Sequence, residues 1–507
     1  MLLNAIPADE PRLPPAKRYA ARLATALTSG GDARIRPDAD GRNQYHASVL
    51  PSDALAYGSS TISSISDHAF HTLLDRWHHG LDRPVAAGDY AEALAILRFK
   101  LVEAFGTPDT AVVFAASGTD LEYAGLAAAY DGRPVTAILL GRDEVGSGCV
   151  HSAAGRFFAD ETATGARVVA QSAIDPAFAG TELVDVPVRD AAGRPRASGT
   201  VADDLAAAAQ RAIANDRRPV VHVVHGSKSG LTLPVLADVE RIVAAFGDAV
   251  TIVVDACQLR VAPATIRRYL ALGCVVLMTG SKFAGGPPFS GFALIPDAVR
   301  ARAMPLPDGY RRVATRAEWP ADWPGADRLP ASGNFGLLLR LQAAMIEIER
   351  FAALPAPQVD HIAARFGHHV GRMVARLELR DVLDSDGKDR TAPCLAAATL
   401  RTLDLSARWA ACDFDHARAI HRHIARQSRQ WLGREIRLGQ PVRTHSLADG
   451  LAAGTLRLSL SMPMMVEMAA LDDAALDTRL DRDMGLIGAA ISAAAAAMDS
   501  SRPTQHA

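Results

Sequence analysis

Short runs of apolar, often β-branched residues recur through the middle of the chain, and this rhythm limits the fold more than any other feature. The runs are AVVFAA (111–116), TAILLG (136–141), PVVHVV (219–224), VTIVVD (250–255), CVVLMT (274–279) and SGFALI (290–295). None alternates strictly between apolar and polar residues, which is typical of strands buried on both faces of a parallel sheet. Helical stretches such as 119–130 and 235–247 separate the runs. The pattern predicts an α/β fold with a doubly wound, mostly parallel sheet.

The chain is too long for one simple core, because it has 507 residues and single cores stop growing well below that length. We expect three segments. Residues 1–95 form an N-terminal segment that packs on the site or on a partner subunit, and residues 96–336 form the large α/β domain. A long amphipathic helix over 337–354 then opens residues 337–507, which form a smaller α+β domain.

Composition excludes several classes of partner. The formal net charge is only -2, so there is no electrostatic reason to expect a nucleic acid or an anionic membrane surface. No stretch approaches the length and hydrophobicity of a membrane span or a signal peptide. The five cysteines show no paired spacing, which favours reduced thiols. We therefore expect a cytoplasmic protein that acts on a small molecule.

Polar residues cluster where the predicted strands end. In open α/β sheets, ligands bind at the carboxyl ends of the strands. Four such ends carry polar or charged side chains that could bind a ligand. They are Ser-Gly-Thr-Asp (117–120) at a helix start, HGSKSG (225–230), Asp-Ala-Cys-Gln (255–258) and Thr-Gly-Ser-Lys (279–282). One edge of the sheet thus collects an anion-binding helix N-terminus, a carboxylate, a carboxamide, a histidine and two lysines.

The order of these motifs resembles that of the fold type I enzymes that depend on pyridoxal phosphate. More narrowly, it is similar to the class V aminotransferase and cysteine desulfurase branch, which has an Asp-Ala-x-Gln strand end and a Ser-x-His-Lys-x-x-Gly-Pro loop. The counterparts are DACQ (255–258) and TGSKFAGGP (279–287), and the separation of Asp255 from Lys282 (282 − 255 = 27) suits that branch. The resemblance covers residues 95 to 340 and implies pyridoxal 5'-phosphate as the cofactor.

The resemblance also implies roles for three of these residues. Lys282 forms the Schiff base with the cofactor and moves the α-proton of the substrate. Asp255 pairs with the pyridine nitrogen, and Gln258 bonds the phenolic oxygen of the cofactor. The alternatives are a solvated loop lysine at 282 and, at 255, an aspartate that caps the next turn.

The cofactor's phosphate needs several hydrogen-bond donors, which a helix N-terminus offers through its backbone N–H groups. By resemblance the phosphate ligands come from Ser117, Gly118, Thr119, Thr279 and Ser281, with Ser281 standing where the family usually has histidine.

In this superfamily the neighbouring subunit often completes the phosphate site. The segment ASGNFG (331–336) is similar to the one that does so, which makes Ser332, Gly333 and Asn334 candidates. The resemblance therefore implies a homodimer with shared active sites. The N-terminal residues Tyr57 and 59–61 are expected to fold over the partner's site.

Two more assignments rest on the resemblance. His151 has the spacing of the histidine that stacks on the pyridine ring, although a purely structural histidine is the alternative. Arg457 in TLRLSLS is similar to the late arginine that holds a substrate carboxylate with two hydrogen bonds. A strand arginine paired elsewhere is the alternative, and Arg443 is a rival for the role.

The triplet Gly-Ser-Lys occurs twice, at 226–228 and at 280–282, and the copy at 226–228 contains Lys228. Aligned backwards from Pro234 and Gly230, Ser227 takes the position where relatives carry an asparagine near the cofactor's oxygen. No Gly-Gly-Pro follows Lys228, and no GxxxxGK precedes it, so it is neither a second cofactor lysine nor a P-loop lysine. We expect a loop lysine with a structural or phosphate-side role, and a Ser227 that faces the chemistry.

The reaction is less constrained than the cofactor. No cysteine lies in 413–507, where a desulfurase would carry its mobile thiol, so persulfide chemistry is disfavoured. An aminotransferase acting on an amino acid or small amine is expected. The alternatives are a kynureninase-like or related lyase that cleaves a carbon–carbon or carbon–heteroatom bond, and a cofactor-binding protein without turnover.

Overall fold

The computed structural model describes residues 15–58, 62–78, 80–81, 85–191, 193–382 and 395–500. Residues 59–61 and Cys394 lie outside this range. The strands are β1 (Leu55–Tyr57), β2 (Thr110–Ala115), β3 (Val135–Leu140), β4 (Glu182–Val186), β5 (Arg218–His225), β6 (Thr232–Leu233), β7 (Thr251–Asp255), β8 (Val275–Thr279), β9 (Gly291–Pro296), β10 (Arg380–Asp381), β11 (Leu400–Asp404), β12 (Ile436–Leu438) and β13 (Thr455–Ser459).

The α-helices alternate with these strands in the first part of the chain and dominate the last part. They are α1 (Pro15–Leu27), α2 (Asp67–Trp77), α3 (Ala87–Phe105), α4 (Gly118–Ala129), α5 (Cys149–Ser152), α6 (Ser198–Ala214), α7 (Leu236–Phe246), α8 (Pro263–Ala271), α9 (Asp297–Arg300), α10 (Phe335–Ala352), α11 (Ala356–Arg376), α12 (Leu395–Thr399), α13 (Phe414–Leu432), α14 (Met462–Met468) and α15 (Asp473–Ser500). Among the described residues, no helix is both long enough and apolar enough to cross a membrane.

The central sheet has the strand order β2-β9-β8-β7-β5-β3-β4, with β6 paired to the end of β5. The pairs β3–β4, β3–β5, β5–β7 and β7–β8 are parallel, and β9 runs antiparallel to β2 and β8. All six predicted runs form strands of this sheet, so the predicted mostly parallel α/β architecture is confirmed. The strands β4 and β6 were not predicted. β4 is a partly exposed edge strand with little apolar patterning, and β6 has only two residues.

Burial explains why the predicted strands lack alternation. Every residue of β3, β8 and β9 is buried, since helices cover both faces of the sheet. Helix α4 is equally enclosed, because Thr119 to Ala129 are all buried. A Cβ on Gly125 would come within 3.0 Å of a methyl group of Val253. Small residues therefore let this helix lie directly on the sheet, with its N-terminus at the carboxyl edge.

The C-terminal part forms the smaller α+β unit that the sequence predicted. Its sheet has the antiparallel order β10-β11-β13, and α11, α13 and α15 pack beside it. The N-terminal segment joins this unit, because β1 pairs in parallel with β12. Tyr57 is fully buried there, stacks on Phe366 and donates a hydrogen bond to Asp483 at 2.9 Å. Its hydroxyl is consequently not available to a partner's site.

Helix α3 is continuous from Ala87 to Phe105, so it crosses the boundary expected at residue 95. It packs against α10 and α8. The N-terminal segment and the large domain thus share an element.

Candidate functional site

Ser117 follows β2 and caps α4. Its Oγ accepts a hydrogen bond from the backbone N–H of Asp120 at 3.2 Å and donates one to the Asp120 carboxylate. Burial raises the pKa of Asp120 to about 6, and the nearby Asp32 adds to this rise. A Cβ on Gly118 would lie 3.0 Å from Cys257 Sγ and 3.1 Å from Thr279 Cγ2. The start of α4 is therefore in contact with the ends of β7 and β8.

The ends of β7 and β8 are joined by hydrogen bonds. Asp255 Oδ1 accepts from the backbone N–H of Cys257 at 2.9 Å, and Thr279 Oγ1 donates to the carbonyl of Cys257 at 2.7 Å. Gln258 is buried, and its carbonyl accepts from the N–H of Phe283 at 3.3 Å. Since Phe283 follows Lys282, this bond ties the Lys282 loop to the Asp255 strand end.

Asp255 and Lys282 shift the pKa values of two buried thiols, Cys257 and Cys149, and Lys228 shifts that of Cys149. Burial raises the pKa of Cys257 most strongly, while the Asp255 carboxylate raises it further and the Lys282 ammonium lowers it. The pKa of Cys149 is raised by burial first, then by neighbouring carboxylates that include Asp255, and it is lowered by Lys282 and Lys228. The charges of Asp255 and Lys282 therefore act on the same two buried thiols at the sheet edge.

A buried carboxylate that follows β3 organises the loop containing Lys228. Glu144 accepts from Ser227 Oγ at 2.6 Å, from the N–H and Oγ of Ser229 at 3.1 and 2.7 Å, and from Arg189 at 3.1 Å. Although burial alone would raise the pKa of Glu144, Arg189 and the two serines bring it below its usual value. The hydroxyl of Ser227 also accepts from the N–H of Leu231. The structure thus gives Ser227 a partner other than a cofactor oxygen.

Arg457 lies beside the same loop. Its Nη1 donates to the carbonyl of Lys228 at 3.0 Å and its Nε to the carbonyl of Gln440 at 2.7 Å. Burial lowers its pKa to about 10, and no carboxylate among the described residues forms an ion pair with it. The rival Arg443 is exposed and lies over the Phe414 ring, 4.9 Å from its centroid. Of the two arginines, only Arg457 contacts the Lys228 loop.

Three other predicted site residues lie on α4, on α5 and beside Lys282. Thr119 is buried in the first turn of α4, and Ser281 is buried with its carbonyl facing Ser63 Oγ at 3.4 Å. His151 is half-buried on α5, which packs against α4.

The candidates for a shared phosphate site are placed differently. Ser332 and Gly333 are exposed. Asn334 caps α10 by accepting from the N–H of Leu337 at 3.0 Å, and its Nδ2 donates to the carbonyl of Gly30 at 2.9 Å. The Asn334 side chain is thus engaged within its own chain.

Sequence reasoning missed Arg34, which reaches the start of α4 from the N-terminal segment. Its guanidinium pairs with Asp32 at 2.6 Å and donates to Ser117 Oγ at 3.3 Å. It lies between the rings of Phe158 and Phe289, 5.0 Å from each centroid, where cation–π attraction holds it. No local motif marks this arginine. Glu144 was also missed, although a survey of polar residues after every strand end, β3 included, would have found it.

No family model matches the sequence, and no curated protein matches it either. Solved structures with the same fold do exist. One is a ureidoglycine–glyoxylate aminotransferase from Bacillus subtilis, with a TM-score of 0.54 and 11% identity over 89% of this chain and 95% of that one. Another is a pyridoxamine–pyruvate aminotransferase from Mesorhizobium loti, with a TM-score of 0.51 and 15% identity over 91% and 100%.

A cysteine desulfurase from Escherichia coli is similar to the same degree, with a TM-score of 0.51 and 15% identity over 87% of this chain and 94% of that one. At these identities the likeness concerns the fold. The fold expected from the motif order at the sheet edge is thereby confirmed over most of the chain.

Proposed function

We propose that this chain is a pyridoxal phosphate-dependent enzyme that acts on an amino acid or small amine, and that it is an aminotransferase. One observation carries the proposal: Lys282, Asp255 and the N-terminus of α4 meet at one buried edge of the sheet, around Cys257 and Thr279.

The residues present fit this cofactor. Gly118 lies so close to Cys257 and Thr279 that a Cβ at this position would force one of them to shift. Because Gly118 has no side chain, the backbone N–H groups at the start of α4 can face a phosphate directly. The same edge offers a carboxylate for a pyridinium nitrogen at Asp255 and an amine for a carbonyl carbon at Lys282. When bound, pyridoxal phosphate would supply an electron sink for a substrate bond at the α-carbon.

The chain's own groups would do the rest. The amine of Lys282 would hold the cofactor and, once released by the substrate amine, move a proton at the substrate α-carbon. Asp255 would keep its orientation through the N–H of Cys257 at 2.9 Å. Arg457, a buried guanidinium without a carboxylate partner among the described residues, would take the substrate carboxylate.

Two further parts of the proposal concern the assembly and the type of reaction. The exposure of Ser332 and Gly333 is compatible with a contribution to a second subunit's phosphate site, which would make the enzyme a homodimer. The described cysteines, Cys149, Cys257, Cys274 and Cys412, are all buried. Burial raises the pKa of Cys149, Cys257 and Cys274, and buried thiols of raised pKa are poor nucleophiles, which favours amino transfer over persulfide chemistry.

Covalent trapping tests the cofactor assignment. Purified protein mixed with pyridoxal phosphate should develop visible absorbance, and borohydride reduction followed by peptide mapping should place the added mass on Lys282. Lys282→Ala should lose both signals, whereas Lys228→Ala should keep the label on Lys282. Failure to take up the cofactor, or a label on Lys228, would overturn the assignment.

An amine screen without keto acid then separates the reactions. An aminotransferase converts the bound cofactor to its amine form once per site and stops, whereas a lyase keeps releasing product. Continuous release would replace amino transfer with lyase chemistry.

A further inference from the structure

Two cationic residues, Lys228 and Arg457, are neighbours, and neither forms an ion pair with a carboxylate among the described residues. Lys228 and Lys282 are half-buried, and Arg457 is buried. Neither lysine ammonium has a hydrogen-bond partner among the described residues. Within the same range, the guanidinium of Arg457 donates only to the carbonyls of Lys228 and Gln440. By contrast, Glu144 on the other side of the loop is fully paired.

The loop's own bonds determine which side chain remains available. The hydroxyls on either side of Lys228, from Ser227 and Ser229, both donate to Glu144 at 2.6 and 2.7 Å. The N–H of Lys228 donates to the Glu144 carbonyl at 3.1 Å, and its carbonyl accepts from Arg457. The polar groups of residues 227–229 that are named above are therefore all hydrogen-bonded, whereas the Lys228 ammonium has no such partner in the described part of the chain. The residue that carries this ammonium lies next to Arg457, whose Nη1 donates to the Lys228 carbonyl at 3.0 Å.

Like charges held together out of water are costly unless an anion accompanies them. Burial lowers the pKa of Lys228 most, and Arg457 and Lys282 lower it further, while Cys149 and Glu144 offset only part of this decrease. Under the proposed function, Lys282 serves the cofactor and the substrate α-carbon, so Lys228 and Arg457 are the neighbouring cations that remain for acidic groups of the substrate. A ligand with one carboxylate balances only one of them, whereas a ligand with two acidic groups balances both.

We propose that Lys228 is a specificity-determining residue that binds a second acidic group of the substrate, while Arg457 binds its α-carboxylate. The substrate would then be an amino acid with an acidic side chain, or the matching dicarboxylic keto acid. This inference rests on the proposed function for the identity of the substrate, but the dianion pocket itself consists only of residues of this chain.

Binding of simple carboxylates tests the pocket without turnover. The purified full chain, with and without pyridoxal phosphate, is titrated calorimetrically with succinate and glutarate, and with butyrate and valerate as partners of equal chain length. We expect the dicarboxylates to bind at least about tenfold more tightly than the monocarboxylates, as one charge-assisted contact provides. Lys228→Met should remove this preference and leave monocarboxylate binding unchanged.

Two variants serve as controls. Lys17→Met removes an exposed lysine and should keep the preference, and Lys228→Arg should keep it too because the charge stays. If Lys228→Met fails to fold, Lys228→Gln replaces it, because Gln also removes the charge and should therefore also remove the preference. Arg457→Lys should weaken both classes of ligand, since both place a carboxylate there.

Equal binding of both ligand classes by the wild type would overturn the inference even if the cofactor binds. Equal loss of both classes in Lys228→Met would also overturn it, because Lys228 would then share the α-carboxylate. Dicarboxylate binding that depends on Lys228 in a protein that takes up no cofactor would support the pocket and refute the proposed function instead.

Discussion

The substitution Glu144→Gln probes the network that fixes the Lys228 loop. Gln has nearly the shape of Glu but lacks the charge, and one of its two terminal atoms donates where the carboxylate accepts. Glu144 Oε1 and Oε2 receive bonds from Ser227, Ser229 and Arg189. With Gln in place, at least one of these donors faces another donor, and Arg189 loses the one carboxylate with which it pairs among the described residues.

The magnitude follows from burial. The Glu144 and Arg189 side chains are only 2% and 10% exposed, and breaking such a buried pair costs about 3–5 kcal/mol. Unfolding entropy is about 2.1 cal/mol/K per residue, which for 507 residues gives about 1 kcal/mol/K for cooperative unfolding. The melting temperature should therefore fall by about 3–5 °C.

Thermal unfolding followed by circular dichroism measures this change. The matched control is Glu349→Gln, because Glu349 pairs with Lys100 at the surface with side chains 45% and 35% exposed. Such surface pairs contribute about 0–1 kcal/mol, so the control should melt within about 1 °C of the wild type. Equal melting temperatures for Glu144→Gln and the control would refute the view that a buried ionised carboxylate holds the loop.

The pH dependence gives a second check on the same group. The pKa of Glu144 is lowered by folding from its usual 4.5, so its stabilisation is complete above pH 4.5 and is lost as the pH falls through the lower folded pKa. The difference between the wild type and Glu144→Gln should be full at pH 7 and should shrink only below pH 4.5. A difference that disappears already at neutral pH would contradict an ionised Glu144.

Two further predictions concern the phosphate end and acid stability. Gly118→Ala should weaken pyridoxal phosphate binding at least about tenfold, because the added Cβ meets Cys257 and Thr279. Gly88→Ala, whose Cβ would meet no atom within 4 Å, should bind normally in the same absorbance titration, and equal affinities would refute the close approach. His225 should destabilise the fold in acid, since burial lowers its pKa from 6.5 to about 4. Its contribution is present above pH 6.5 and is lost as the pH falls toward 4, so His225→Gln should flatten the melting temperature over this window, and an unchanged slope would contradict it.

The strands were predictable because burial on both faces leaves a signal in the local sequence. A strand covered on both faces must be apolar at successive positions, as in VVLMT of β8, where every residue is buried. The edge strand β4 has only one buried residue of five, so its sequence carries no comparable signal. The strand ends followed from the same logic, since parallel strands bring their carboxyl ends to one edge, and the contact of Gly118 with Cys257 and Thr279 is the result.

What the sequence left unpredicted depends on pairs far apart in the chain. Ser227 meets Glu144 across 83 positions, Arg34 meets Ser117 across 83, and Arg457 meets Lys228 across 229. Motif spacing describes one loop at a time, and it does not reveal which distant group will engage a given side chain. Arg34 in particular belongs to no motif, and only the docking of the N-terminal segment beside α4 brings it to the site.

The two Gly-Ser-Lys triplets show how a distant residue changes the meaning of a local pattern. Judged by its own loop, Ser227 of HGSKSG aligns with a cofactor contact and Lys228 looks incidental. A buried carboxylate reverses this preference, because Glu144 needs donors and the serines on either side of Lys228 satisfy it. Since both serine hydroxyls donate to Glu144, the Lys228 ammonium is left without a hydrogen-bond partner among the described residues, next to Arg457, which donates to the Lys228 carbonyl. The charge of Glu144 therefore determines indirectly where positive charge accumulates, and the chemistry of this loop follows from a residue that touches no substrate.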